Sequence, residues 1–396
     1  MHRRTFLHGL ALAAPALMTA GRLYAVPASS PRFLLVFLRG GYDCANVVVP
    51  CSSRYYYEAR PNIAIQKPVA GATEGAVVLD SDWALCPALR DSIAPLYASR
   101  EALFIPFAGT SDLSRSHFET QDDIELGQPS QARRDLRSGF LSRLTTTLSG
   151  PASIAFTDSL PVVFRGATDI PNISLKGVGK PVFDERQSAI LTDLYAGHHL
   201  QTEVTDGLAL RQEVGRELQQ EMQASARDAV SPKGFELEAR RIGTLMRDQY
   251  RVGFVDVGGW DTHVNEGAVE GALANNIASL GRGLRAFQQE LGPAWRDTVV
   301  VVVSEFGRTF RENGNRGTDH GHGSVYWVLG GDVKGGRIAG EQVRIERGTL
   351  FQDRDYPVLN DYRAVLGGLF ASLWGLSGEQ VQQVFPASRP VDLGLV

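Results

Sequence analysis

Residues 299–323 read VVVVVSEFGRTFRENGNRGTDHGHG, and this stretch decides the fold. Its five consecutive valines, 299–303, are too few to cross a membrane. A run of β-branched residues that ends in polar ones is typical of a strand buried on both faces of a parallel sheet. Such a strand would deliver Ser304, Glu305 and Arg308 to the carboxyl edge of the sheet, where open α/β folds bind ligands. The stretch therefore predicts an α/β protein with a site at the end of this strand.

A loop rich in Gly and Asn follows the strand and ends in Asp319, His320 and His322. Residues two apart in an extended segment share a face, so His320 and His322 are expected to point at the same spot. A Glu at a strand end followed by His-x-His is typical of a site for a metal or a phosphate-like group.

Other apolar runs alternate with helical patterns along the chain, which predicts a three-layer α/β/α fold with a mainly parallel central sheet. Further strands are predicted at Arg32–Leu38, 102–107, 153–156, 161–164, 251–257 and 325–329. Helices are predicted at 87–99, 118–126, 208–226, 235–250, 272–291 and 361–376, and 55–57 is expected in a loop. The charged helical stretch 184–250 is interpreted either as a cap or insertion or as layer helices of a single domain.

The first thirty residues read MHRRTFLHGLALAAPALMTAGRLYAVPASS, in which Arg3 and Arg4 precede a mildly apolar run. The RRxFL pattern is that of a twin-arginine signal peptide, with small-residue cleavage options near Ala25 or Ala28. The alternative, a membrane anchor, is disfavoured because the apolar run is short for a span. We therefore expect a signal peptide at 1–28 that is read by the twin-arginine translocase. The remainder, 29–396, is expected to be one domain in the periplasm or outside the cell.

Charge and cysteine usage limit the remaining classes. The formal net charge of −4 and the pI near 6.1 argue against a nucleic-acid-binding surface, and no second apolar run has membrane length. Cys44, Cys51 and Cys86 fit no metal-knuckle spacing. In an oxidising compartment Cys51 and Cys86 form the simplest disulfide, and buried or free thiols are the alternative.

Acids and histidines recur where the predicted strands end. The motif RGGYD ends in Asp43, GGWDTH contains Asp261 and His263, and SEFGR contains Glu305. An isolated acid in such a place is usually a cap or turn residue. The repetition at one sheet edge instead indicates a metal site. The predicted ligands are Asp43, Asp261, His263, Glu305, His320 and His322.

This donor set predicts a divalent metal, with Zn²⁺ or Mn²⁺ favoured and Fe as a further option, in one or two ions. Two metals about 4 Å apart would clamp the attacking and leaving oxygens of a phosphoryl or sulfuryl group, and Arg308 would hold the anion. Ser116 is the predicted nucleophile, although a helix N-cap is an equal alternative for it. His117 would act as a ligand or as an acid/base, and Cys44 is a rival nucleophile.

The stretches RRTFL, FLRGGYDCAN, RSHFETQD, GWDTH, SEFGRT and GTDHGHG together resemble a large family of bacterial twin-arginine-exported proteins related to the alkaline phosphatase/sulfatase superfamily. The resemblance implies an alkaline phosphatase-like fold. It also implies that Asp43 corresponds to the superfamily's early Asp and Ser116 to its nucleophile. Asp261 with His263 would be the first Asp–His segment, and His320 or His322 the late His.

The chain departs from the superfamily pattern in two places. Glu305-Phe306 replaces an Asp-His pair at the end of the valine strand, which removes one ligand unless His117 or Asp319 replaces it. The Asp261 segment is also spaced D-x-H instead of the usual D-x-x-x-H.

These observations predict a periplasmic metal-dependent hydrolase of phosphate or sulfate esters, with an anionic ester as its substrate. The alternative is a non-catalytic exported protein that binds a metal, glycan or partner at the same edge. A third reading is an oxidoreductase with a His/carboxylate metal centre, which no dinucleotide fingerprint supports.

Overall fold

The structure is a computed structural model of the 396-residue chain, and it describes residues 31–69, 75–130, 134–166, 169–175, 185–206, 208 and 234–396. The predicted signal peptide at 1–28 lies outside these residues, as does nearly all of the helix predicted at 208–226.

Ten strands are found in the described part of the chain. They are β1 (Arg32–Leu38), β2 (Val48–Val49), β3 (Val77–Val78), β4 (Ala84–Leu85), β5 (Ala102–Gly109), β6 (Ser153–Phe156), β7 (Val252–Val257), β8 (Thr298–Ser304), β9 (Ser324–Gly330) and β10 (Asn360–Asp361). The helices described are α1 (Arg54–Ala59), α2 (Ile93–Ala98), α3 (His117–Leu126), α4 (Phe140–Thr147), α5 (Glu185–Leu194), α6 (Phe235–Asp248), α7 (Ala272–Leu291), α8 (Tyr362–Trp374) and α9 (Gly378–Val384).

The main sheet has seven strands in the order β10-β5-β9-β8-β1-β7-β6, and β2, β4 and β3 form a small antiparallel sheet. The strand β1 pairs in parallel with both β7 and β8, so the two longest apolar runs lie side by side at the centre. The strand β9 is antiparallel to its neighbours β5 and β8. The sheet is therefore mixed but mainly parallel, as predicted.

Both faces of this sheet are covered, which explains why β1 and β8 have no polar face. In β1, Phe33, Leu35 and Phe37 belong to one apolar core, and the alternate residues Leu34, Val36 and Leu38 belong to the other. The helices α6 and α7 pack on the second of these faces, and α4, α8 and α9 pack on the first. The predicted three-layer α/β/α fold class is confirmed.

Three local predictions were wrong. Residues 55–57 lie in helix α1, because the hydroxyl of Ser53 accepts a hydrogen bond from the amide of Tyr56 and caps the first turn. The strand predicted at 161–164 is a 3-10 turn, Val162–Phe164, whose Val163 amide donates to Glu125 instead of to a strand. The helix predicted at 87–99 divides into a 3-10 turn, Pro87–Leu89, and the helix α2.

Strand direction determines where the site forms. The strands β1, β7 and β8 are parallel, and β5 runs the same way because both β5 and β8 are antiparallel to β9. These four strands end at one edge of the sheet, and β9 begins there. The loops after β1, β5 and β7 and the loop that joins β8 to β9 are therefore brought together. Among the helices that the structure describes, none is long and apolar enough to cross a membrane.

Candidate metal centre

His117, Asp261 and His320 come together at this edge from three different loops. Their nearest ligand atoms all lie within 4.8 Å of one another. His117 Nε2 lies 3.7 Å from Asp261 Oδ2, and His320 Nε2 lies 3.5 Å from Asp261 Oδ1. His117 is the first residue of α3 and follows the loop after β5. The sequence predicted it either as a ligand or as an acid/base, and its position makes it a candidate ligand.

His263 extends this triad to four side chains. Its Nε2 atom lies 3.0 Å from Asp261 Oδ1 and 3.2 Å from His320 Nε2. A tetrahedral zinc ion with ligands at about 2.0–2.2 Å would separate its ligand atoms by roughly 3.3–3.6 Å. The separations observed here, 3.0–3.7 Å, spread around that range; the shortest, 3.0 Å from His263 Nε2 to Asp261 Oδ1, lies below it. We therefore treat these four residues as the candidate metal centre, with His117, Asp261 and His320 as the candidate ligands and His263 beside them.

All three histidines turn their Nδ1 atoms away from this centre and towards an oxygen. His117 Nδ1 lies 2.8 Å from Glu305 Oε1, and His263 Nδ1 lies 3.3 Å from Asp319 Oδ1. His320 Nδ1 lies 3.0 Å from the carbonyl oxygen of Arg115. An oxygen acceptor fixes the proton on Nδ1 and leaves the Nε2 lone pair facing inward, which is how metal-binding histidines are usually held.

Two electrostatic features suit a metal. Burial, together with the nearby His117, lowers the pKa of His320, so its ring is neutral and able to bind a metal at pH 7. His117 Nε2 is buried and has no hydrogen-bond partner within the described structure. A buried nitrogen with no partner costs free energy unless something binds it, and a metal ion at this centre would satisfy it.

Glu305, which was predicted as a ligand, instead contacts the Nδ1 atom of His117 on the side of the ring away from the centre. Its side chain is fully buried, and Oε1 accepts hydrogen bonds from the Gly40 amide at 2.8 Å and from Gln121 Nε2 at 2.9 Å as well as contacting His117. Burial alone would raise the pKa of Glu305, but these hydrogen bonds outweigh it and the pKa is lowered. The residue is therefore an ionised acceptor that orients His117, and we leave it outside the proposed ligand set.

Arg308, predicted to hold the substrate anion, has its donors occupied within the protein. The guanidinium is buried and donates to the carbonyl oxygens of Gly40, at 2.8 Å, and Trp260, at 3.3 Å, and to that of Gly41. It also donates to Asp261 Oδ1. Burial raises the pKa of Asp261, but the contact with Arg308 lowers it. The net effect is a lowered pKa, which keeps this carboxylate ionised. Arg308 thus holds a candidate ligand in place.

His322 does not share a face with His320. Its ring is 7% exposed and packs beside Phe351, with ring centroids 5.0 Å apart. Burial and the nearby charge of Arg115 lower its pKa to about 4. The segment is not a regular strand: His320 forms an isolated bridge with Arg308, and Gly321 lies too close to the Arg308 backbone to leave room for a Cβ. The expected i, i+2 alternation is therefore absent, and the structure does not bring His322 to the centre.

Asp43, the other early acid, is also engaged elsewhere. It is fully buried, and both of its oxygens accept hydrogen bonds from Arg60, one of them at 2.9 Å. Burial would raise its pKa, but Arg60 lowers it overall. A carboxylate whose two oxygens bind a guanidinium is a poor additional metal ligand. Among the described residues, Asp43 is therefore not available to add a second set of candidate ligands to the centre.

Ser116 is the N-cap residue of α3, immediately before His117. Its backbone is extended, and its side chain does not accept the capping hydrogen bond. Arg115, the residue before it, has a positive φ of 52°. Ser116 therefore occupies the predicted N-cap position without making the capping hydrogen bond, and its role as the nucleophile stays a prediction.

The three cysteines are free thiols in this structure. Cys44 and Cys86 are buried, and Cys51 is partly buried. Burial raises the pKa of Cys44, and the adjacent Asp43 charge raises it further. The neutral, buried Cys44 thiol is thus unsuited to be the rival nucleophile.

Sequence reasoning did not find several supporting residues. Gln121 is fixed by Arg39, whose Nη1 donates to Gln121 Oε1 at 2.9 Å, so that the Gln121 amide nitrogen faces Glu305. Arg60 and Glu266 were also missed. The only available signal was helical spacing from His117 to Gln121, since residues four apart on a helix share a face.

The comparisons with known proteins place the chain in a family. A family model described as "Protein of unknown function (DUF1501)" matches residues 105–385, which is more than half of the chain, and the chain belongs to this family. No curated protein matches the sequence.

Several solved structures are similar in fold. A protein in the alkaline phosphatase superfamily from Vibrio parahaemolyticus shares 12% identity over 84% of this chain and 69% of its own, with a TM-score of 0.39. The lipoteichoic acid synthase LtaP from Listeria monocytogenes shares 10% identity over 92% and 76%, with a TM-score of 0.41. The C-terminal periplasmic domain of EptC from Escherichia coli, in complex with zinc, shares 8% over 76% and 73%, with a TM-score of 0.37. Similarity at this level concerns the fold alone.

Proposed function

We propose that this protein is a metal-dependent hydrolase of phosphate or sulfate esters that binds one divalent transition metal. The ligands are His117, Asp261 and His320, with His263 in contact with two of them. One observation carries the proposal. Three histidines from three loops present Nε2 to one carboxylate, while an oxygen holds each Nδ1 from behind. Neutral imidazoles with one carboxylate suit Zn²⁺, Mn²⁺ or Fe²⁺.

The site is open enough for a reaction. The side chains of Asp261 and His263 are 46% and 40% exposed, so one side of the centre faces solvent. A triad of protein ligands with an accessible fourth position is typical of a catalytic metal site. A metal bound there would supply positive charge to a phosphate or sulfate group and favour ionisation of a bound hydroxyl.

The chain's own residues have separate roles in this proposal. Ser116 is the nucleophile, and its position at the N-terminus of α3 favours an anion beside it through the helix dipole. Glu305 and Asp319 hold the rings of His117 and His263. Arg308 holds Asp261 and contributes positive charge to the site without contacting the substrate.

A non-catalytic binding protein is the second candidate, and one observation favours it. Asp43 is bound by Arg60, so the acid that the superfamily resemblance assigned to the metal is committed elsewhere. A protein of this kind would hold a metal and show no ester turnover. Export by the twin-arginine pathway to the periplasm remains part of the proposal, on the strength of the RRTFL segment.

Elemental analysis of protein purified without chelators tests the metal site. We expect about one equivalent of Zn, Mn or Fe in the wild type, a large loss in His117→Ala, and no loss in the matched control His322→Ala, whose ring lies away from the centre. Metal that is retained in His117→Ala, or absent from the wild type after reconstitution, would contradict the site. Turnover of aryl phosphate and sulfate esters by the loaded wild type then separates the hydrolase from the binding protein.

A further inference from the structure

Two loops carry candidate ligands and run side by side. The loop after β7 contains His263, and the loop before β9 contains His320. Backbone hydrogen bonds join them from the Asn265 amide to the Asn315 carbonyl, at 2.9 Å, and from the Glu266 amide to the Arg316 carbonyl, at 2.9 Å. Relative movement of these loops would separate the two imidazoles.

The side chain of Glu266 joins the same loops. The residue is fully buried, and its Oε2 atom accepts hydrogen bonds from Thr262 Oγ1, at 2.9 Å, and from Thr318 Oγ1, at 2.8 Å. Thr262 lies between Asp261 and His263, and Thr318 lies two residues before His320. Glu266 Oε2 thus binds one threonine in each loop, and each threonine is close in sequence to a candidate ligand.

Glu266 Oε1 has no hydrogen-bond partner among the described residues. Asp43 lies close enough for its charge to raise the pKa of Glu266. Ionised carboxylates are only acceptors, so a hydrogen bond between these two groups requires a proton on one of them. Arg60 binds both oxygens of Asp43, so Glu266 is the better place for that proton.

The charges around Glu266 agree with this assignment. Burial raises the pKa of Glu266, and the charge of Asp43 raises it further, while Arg60 opposes them without reversing the shift. The pKa of Asp43 is lowered despite burial, by Arg60 and more weakly by Arg308. Glu266 is therefore the neutral member of a buried acid–carboxylate pair.

We propose that Glu266 is a positioning residue of the metal centre. As a neutral acid it donates a hydrogen bond to Asp43, and it joins the loops of His263 and His320 through Thr262 and Thr318. The positioning role rests on the proposed metal site. The junction, meaning the hydrogen bonds by which Glu266 joins the two loops, exists without a metal.

The test compares Glu266→Gln with Glu266→Ala. A Gln side chain can donate its amide N–H to Asp43 and accept from both threonines, so it should reproduce the neutral acid. We expect the Zn²⁺ affinity of Glu266→Gln, measured by competition with a chromophoric chelator, to stay within about threefold of the wild type. We expect Glu266→Ala to bind Zn²⁺ about tenfold or more weakly, in the range of other supporting residues at metal sites.

Thr318→Val supplies a second variant if Glu266→Ala does not fold. It removes one donor to Oε2 and keeps the side-chain volume, and we expect weakened Zn²⁺ binding. Thr145→Val is the matched control. Thr145 lies on α4, and its buried hydroxyl is hydrogen-bonded to that of Ser153 at 3.1 Å. This variant should bind Zn²⁺ as the wild type does.

Affinity lost equally in the Gln and Ala variants would overturn the neutral assignment. Unchanged affinity in both Glu266→Ala and Thr318→Val would overturn the positioning role. If the wild type binds no metal, the proposed function fails, but amide hydrogen exchange still tests the junction. The amides of Asn265 and Glu266 should exchange faster in Glu266→Ala and at the wild-type rate in Glu266→Gln, and equal exchange in all three proteins would overturn the proposal.

Discussion

Removing the carboxylate of Glu305 should weaken metal binding through His117 without touching a ligand. In Glu305→Ala, His117 Nδ1 loses the acceptor that lies 2.8 Å away, so the ring is free to rotate and its Nε2 is no longer held towards Asp261. Loss of a supporting carboxylate typically costs 10–100-fold in metal affinity. We therefore expect about 1.4–2.7 kcal/mol of lost binding free energy.

The same substitution should lower stability. Besides His117, the Gly40 amide at 2.8 Å and the Gln121 amide nitrogen at 2.9 Å lose their acceptor. A fully buried donor left without a partner costs about 1–3 kcal/mol, and these two donors are partly buried. The free energy of unfolding of Glu305→Ala should therefore fall by at most about 6 kcal/mol, the upper sum for the two donors.

Glu305→Gln is the matched control. Its Oε1 can accept from the same three donors, and its Nε2 can donate to the Ser304 hydroxyl that lies 3.0 Å from Oε2. We expect a smaller loss of stability and of metal affinity than in the Ala variant, because only the charge is removed. The assays are Zn²⁺ competition titration and urea unfolding of the metal-free proteins.

The pH dependence adds a check. The folded-state pKa of Glu305 is lowered, so its charge contributes stability that is present above the unfolded-state value of about 4.3 and is lost as the pH falls through the folded-state value. The wild type should exceed Glu305→Gln in stability at pH 7 and lose this advantage below about pH 4. Native metal affinity in a folded Glu305→Ala protein would refute the reasoning.

Three further predictions concern residues around the centre. His322→Leu should leave the metal content unchanged. In the wild type the His322 ring takes up a proton on unfolding, so its stability should fall by about 1.4 kcal/mol per pH unit between about pH 6.5 and 4, and the variant should lack this fall. Urea unfolding at pH 7 and 5 would show the difference, and a wild type whose stability does not change with pH would contradict it. Ser116→Ala should keep its metal and lose ester turnover by at least about 10³-fold, and full turnover would exclude Ser116 as the nucleophile. A thiol reagent should modify only Cys51 in the native protein and all of Cys44, Cys51 and Cys86 in urea, whereas one reactive thiol in urea would indicate a disulfide.

The central strands could be predicted from the sequence because burial on both faces requires continuous apolar runs. The strands β1 and β8 and the helix α7 are found where the pattern placed them. The wrong predictions at 55–57 and 161–164 were short segments. Their conformation depends on single hydrogen bonds, such as that from the Val163 amide to Glu125, which hydrophobic periodicity does not report.

The sequence also predicted that acids and histidines would gather at one edge, but not which of them would meet. His320 and His322 are two residues apart, yet only His320 reaches Asp261. Asp43 and Glu305 end neighbouring strands as Asp261 does, yet each binds a group within the protein. A strand end fixes where a residue lies along the edge, whereas its side-chain partner depends on which other loops pack against it.

The sequence by itself therefore determined the layered α/β fold and the edge where polar side chains collect, because both follow from local periodicity and strand direction. Only the tertiary structure decided which residues form the metal centre and which support it. That division depends on contacts between residues far apart in the chain, such as His117 with Glu305 and Glu266 with Thr318. These contacts are set by loop packing and by the pairing of buried charges, which leave no periodic signal in the sequence.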